Sequence, residues 1–201
     1  MVFKFFPNIK NSDKGVTLVE IAVVIFIIVL FSLIVISDFP KIKRQFALSR
    51  ATYKLAQDLR RVEDLGLSGV QINDASKTLI KAKGYGIYIN LTLSPTQYVI
   101  YADVDNNQKY NDGQFCDSAD RDPARDCAVE IIDVSDKDPG LSLQSMDSVV
   151  GGVTSINFSP PNPTVRIDNI ISDGTQIVIN LSNGLSTRSV LVNISGLINV
   201  Q

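Results

Sequence analysis

Residues 15–36 read GVTLVEIAVVIFIIVLFSLIVI, an apolar run interrupted by one charged side chain, Glu20. Coiled as a helix at about 1.5 Å per residue, residues 16–36 reach roughly 30 Å, the thickness of bilayer hydrocarbon. The run is therefore read as a transmembrane helix, and everything else must be arranged around it. An acid near the end of such a span costs on the order of 2 to 3 kcal/mol unless it finds a partner. Glu20 is expected to have one.

Ahead of the span lie Lys4, Lys10 and Lys14 against a single Asp13. Positive charge on that side holds the leader in the cytoplasm and sends the remainder outward. An ordinary secretory signal would carry its small-residue cleavage site after the apolar region, and this arrangement differs. A short basic leader, then GVTLVE, then an apolar helix resembles the class III signal of type IV prepilins and type II secretion pseudopilins. The resemblance implies that a prepilin peptidase cuts after Gly15 and methylates the new amino terminus at Val16. It also implies that Glu20 pairs with the amino terminus of a neighbouring subunit and sets the axial register of assembly. Electrostatics agrees, because an amine and a carboxylate that are each costly in lipid neutralise one another only at a defined stagger. The mature chain would begin with Val, where the family more commonly has Phe.

The remaining length suits one modest folded domain beyond the span. The 201 residues include no His and no Trp. Without His the chain lacks the commonest general base and the commonest metal ligand, so an enzyme is not expected. A formal charge of −2 gives no broad footprint for nucleic acid. Cys116 and Cys127 share one polar segment, and two thiols without His cannot complete a structural zinc site. A disulfide is expected instead, formed in the oxidising compartment that export provides.

After the span, Pro40 predicts a bend more than a stop. From Lys41 to Leu65 the apolar residues Leu48, Ala51, Leu55, Leu59, Val62 and Leu65 recur at spacings of three and four and make one stripe. An amphipathic helix continuing the span and ending near Gly66 or Gly69 follows, about 75 Å in all. Its stripe should form the core of a sheet. From Gly69 the period falls to two, and Gly, Pro, Asn and Asp punctuate the runs. Seven strands are predicted: 85–91, 98–103, 129–134, 155–159, 165–168, 175–182 and 189–194, with SPPNPT at 159–164 as a turn. The fold class is α+β, a long helix packed on an antiparallel β-rich head. The boundaries are a leader at 1–15, a transmembrane helix at 16–36, an amphipathic helix at 37–68 and the head at 69–201. GYGIYIN at 84–90, YVIYADVDNNQKYND at 98–112 and a closing SGLINV are similar to the globular part of H-type minor pseudopilins.

Asp103, Asp105, Asn107 and Asp112 supply closely spaced oxygens, and DVDNN opens like the first half of a calcium loop. The second half departs from the EF-hand, with Gln108 where Gly is wanted and Gln114 where a bidentate Glu is wanted. A different calcium site using Asp112 with Asp117, Asp120 or Asp122 stays open. So does the plain alternative, in which Asp and Asn side chains cap their own turns. No other cofactor is expected.

The functional expectation is an assembly subunit of a pseudopilus or type IV pilus-like fibre, most like a minor pseudopilin of type II secretion. It would sit as a single-pass protein of the cytoplasmic membrane with an extracytoplasmic head, and then in the fibre. Its partners would be prepilin peptidase, the membrane, and other pilin or pseudopilin subunits through the N-terminal helix. The alternative is an uncleaved, signal-anchored binding module with a calcium-braced loop. A DNA-binding pilin using Arg121 and Arg125 is disfavoured, since arginines scattered among Asp residues make a poor phosphate track.

Overall fold

The helix begins where its sequence says it should. Thr17 caps α1 (Leu18–Ser68), its hydroxyl accepting the Glu20 backbone N–H at 3.2 Å. Thr17-Leu-Val-Glu20 has the spacing of a capping box, which settles orphan N–H groups of the first turn. In this computed structural model residues 15–73, 76–111, 114–136, 138–160, 164–171 and 174–201 are described. The chain divides into two compact units, Met1–Ile42 and Lys43–Gln201.

In the first unit the described residues are the start of α1 and the short segment before it. All are exposed, and the most apolar eighteen-residue stretch of the helix has no buried residue. It is long and apolar enough to cross a membrane. The helix assignment continues through Pro40 without a break. Residues 1–14, which carry most of the expected leader, lie outside the described residues.

In the second unit α1 becomes amphipathic. Leu48, Leu55, Leu59 and Val62 are fully buried, and Ala51 and Leu65 pack against the same core. The helix stops at Ser68 because Gly69 adopts a left-handed φ of +60°, with its N–H donating to the Leu65 carbonyl at 3.2 Å. Gly66, expected near the end, lies inside the helix and is buried.

Eleven strands follow among the described residues: β1 (Gln71–Asn73), β2 (Leu79–Lys81), β3 (Gly84–Asn90), β4 (Gln97–Asp103), β5 (Cys127–Asp133), β6 (Ser142–Asp147), β7 (Val153–Ser159), β8 (Thr164–Ile167), β9 (Gln176–Ser182), β10 (Thr187–Asn193) and β11 (Ile198–Val200). They form a five-stranded sheet in the order β5-β4-β3-β7-β8, a four-stranded sheet β11-β10-β9-β6, and the ribbon β1-β2, with antiparallel pairing throughout. The seven expected strands are present within one or two residues of their ends, as β3, β4, β5, β7, β8, β9 and β10. The turn expected over 159–164 has Pro161, Asn162 and Pro163 outside the described residues.

Alternation gives the five-stranded sheet two distinct faces. Tyr85, Ile87, Ile89, Tyr98, Ile100, Ala102, Ile156 and Phe158 join the α1 stripe in one hydrophobic cluster, to which Ile177, Ile179, Leu181, Val190 and Val192 of the second sheet also belong. The opposite face carries Gly86, Tyr101, Asp103, Ser155 and Asn157. It is covered by the long β4–β5 connection, whose Tyr110 ring packs on Tyr88 and Tyr101 at centroid distances of 5.0 and 5.3 Å. Gly86 is required there, since a Cβ would stand 2.5 Å from the Tyr101 ring that lies across it.

Candidate functional site

The candidate residues read from the sequence fall in two places, and the first is the start of α1. Gly15 and Val16 lie before the helix, exposed, and none of the described residues stands within 4 Å of where a Gly15 side chain would be. A peptide bond in non-helical, uncovered chain is what a peptidase can bind. Glu20 lies in the first turn of α1, exposed like the apolar residues around it. Its own backbone N–H is spent on Thr17, while its carboxylate sits where the partial positive charge of the helix terminus favours an anion.

The second place is the end of β4. Asp103 is fully buried, its Oδ1 accepting the Asn106 N–H at 2.7 Å. Its Oδ2 accepts the Gln108 N–H at 3.1 Å and the Asn157 amide at 3.3 Å. The β4–β5 ladder ends at Ala102 opposite Cys127, so the next residues, Asp103 and Asp126, face one another just past the last pair. Asp105 joins them from the loop, and one carboxylate oxygen from each of the three lies within 4.8 Å of the others. Asp126 is fully buried and its Oδ1 accepts the Val104 N–H at 2.9 Å. Its Oδ2 has no hydrogen-bond partner among the described residues. Burial, opposed only partly by the backbone amides and reinforced by the Asp103 and Asp105 charges, pushes the Asp126 carboxyl up to about 7. Burial likewise raises Asp103.

The ligands expected from sequence are thus partly regrouped. Asp103 and Asp105 come together, but their third partner is Asp126. Asn107 acts in the turn: its backbone N–H and side-chain amide both donate to Asp105, at 3.0 and 2.7 Å, and its side-chain Oδ1 accepts the Lys109 N–H at 2.7 Å. Asp112 lies outside the described residues. Asp117, Asp120 and Asp122 are exposed in the disulfide loop, where Asp122 caps Ala124. The one sign that could have singled out Asp126 is its place immediately before Cys127, and reading it requires the register of β5 on β4.

Cys116 and Cys127 form the expected disulfide, closing the loop that carries Asp126 back to the sheet. Arg121 is turned onto that loop, donating to the Pro123 and Arg125 carbonyls, and Arg125 pairs with Asp122. Both arginines serve the loop itself. Comparison of the chain with protein-family models, with curated proteins and with solved structures finds no match.

Proposed function

We propose that this chain is an assembly subunit of a pseudopilus or type IV pilus-like fibre, processed after Gly15 and packed into the fibre through α1. One observation carries the reading. The same continuous helix is uncovered by its own chain from Leu18 to Phe46 and buried in a β-rich head from Ala47 onward. Such a helix needs an apolar environment for its first half, first lipid and then the helices of other subunits. Within the apolar stretch from Leu18 to Ile36 Glu20 is the one charged residue, and a Val16 amine exposed by cleavage would supply its opposite charge from a neighbour. The role is structural and calls on no catalytic group.

The resemblance of the head segments favours a minor pseudopilin of type II secretion within this class. The test is incorporation: Glu20→Ala should leave the protein processed and membrane-bound but absent from sheared fibres. Normal incorporation of that variant would refute the role given to Glu20. A second reading, an uncleaved anchored module, draws on the Thr17 cap, which gives the first turn of α1 a local logic that needs no second subunit. It predicts that Met1 to Gly15 are retained and that Glu20→Ala changes nothing beyond helix stability.

A further inference from the structure

We propose that Asp103, Asp105 and Asp126 bind a calcium ion that ties the disulfide loop to the end of β4. The site stands independently of whether the chain assembles into fibres. Three carboxylates converge from three separate places: the last residue of β4, the loop after it, and the residue before β5. Oxygens within 4.8 Å of one another can share an ion whose oxygen distances are about 2.3 to 2.6 Å. The independent sign of a ligand is Asp126: its side chain is 0 % exposed, yet Oδ2 has no hydrogen-bond partner among the described residues. A buried carboxylate oxygen left unpaired is costly, and a cation is the partner that satisfies it.

No Lys or Arg among the described residues makes an ion pair with any of the three; Lys109 pairs with Asp168 at 2.8 Å, and Arg125, next to Asp126 in the chain, pairs with Asp122 at 3.5 Å. Like charges facing each other at a strand end are destabilising, and Asp103 faces Asp126 just beyond the ladder. The donor set is all hard oxygen, which suits calcium or magnesium rather than a thiolate- or imidazole-seeking metal. Calcium is favoured because the donors are irregular and multiply carboxylate, whereas magnesium demands a near-ideal octahedron. Asp105 is exposed and leaves an entry path.

The test is thermal melting of the full chain in detergent micelles, first in EGTA and then with calcium. At about tenfold excess over Kd, the wild type should gain roughly 3 to 6 °C in Tm. Asp126→Asn should melt in EGTA at or above the wild type, since it removes a buried unpaired charge, and should gain nothing from calcium. Asp120→Asn, in the exposed loop, should respond as the wild type does. Because Asp126→Asn could fold poorly, terbium luminescence of the wild type gives a second readout. Tyr101 shares the Asn157 amide with Asp103 and should sensitise the bound ion, and calcium should displace it. A wild-type Tm that calcium leaves unmoved, an equal gain in Asp126→Asn, or an equal or larger gain with magnesium would each overturn the assignment.

Discussion

The Tyr98 hydroxyl donates to Asp58 Oδ2 at 2.5 Å, joining the buried face of α1 to β4 of the five-stranded sheet. Lys54, one turn earlier on the helix, closes on the same carboxylate at 2.6 and 2.8 Å. Asp58 and Tyr98 are almost wholly buried, and Asp58 is the charged residue on a buried helix face whose other polar member, Thr52, donates its hydroxyl to the Leu48 carbonyl. A carboxylate there is tolerable only because both partners reach it, and together they fix the rotation of α1 on the sheet. Burial, followed by the Asp58 hydrogen bond, keeps the Tyr98 hydroxyl protonated far above its usual range.

That contact gives the first prediction. Tyr98→Phe leaves Asp58 with Lys54 alone and should cost about 1.5 to 3 kcal/mol, the range for a hydrogen bond to a charged group. Asp58→Asn and Tyr98→Phe should be strongly non-additive, with a coupling on the order of 1 kcal/mol or more. Urea midpoints of the two single variants and the double variant measure it, and simple additivity would remove the contact's role in register.

Gly66 offers a sharper reversal. Gly to Ala inside a helix ordinarily stabilises by about 1 kcal/mol. Here the added Cβ would stand 2.4 Å from the Phe158 carbonyl oxygen, a backbone atom of β7 that cannot step aside. Gly66→Ala should therefore destabilise by roughly 1 to 3 kcal/mol, as overpacking does. Gly69→Ala meets open space and should cost only about 1 kcal/mol, for its positive φ. A chain made more stable by Gly66→Ala would contradict the close packing of α1 on β7.

The disulfide should matter through the loop it closes. Replacing both Cys116 and Cys127 with Ser should lower stability by about 3 kcal/mol in the chain-entropy model. It should also blunt the calcium response, because Asp126 is held next to Cys127. Thermal melts with and without calcium test both effects on one variant.

Much of this architecture is legible in local pattern. The three-and-four spacing from Leu48 to Leu65 marks the buried face of α1, and alternation marks β3, β4, β9 and β10, where every second residue is apolar and enters the shared core. Other elements depend on partners distant in sequence. β6, with Ser-Leu-Gln-Ser-Met-Asp, has no β-branched residue and becomes a strand because β9 offers it a ladder edge. β1 and β2 have three residues each, too few for a period to declare itself. β11 follows a tight turn at Gly196, φ +85°, which folds the closing SGLINV back on β10 as a separate strand.

The acid cluster divides the same way. Asp103 and Asp105 are neighbours in sequence and visible as oxygen donors. Asp126 reaches them only through the β4–β5 register, which shifts by a bulge between Ile100 and Tyr101. No spacing rule carries that shift. Thr17 and Glu20 were legible as part of GVTLVE, but their capping contact is local geometry that the resemblance does not imply.

The most direct test of the assembly reading is the intact mass of the membrane-extracted protein, expressed with and without a prepilin peptidase. The account predicts a peptidase-dependent loss of Met1 to Gly15 together with the gain of one methyl group on Val16. An unchanged mass in the presence of active peptidase would contradict it and leave an uncleaved, membrane-anchored β-rich module.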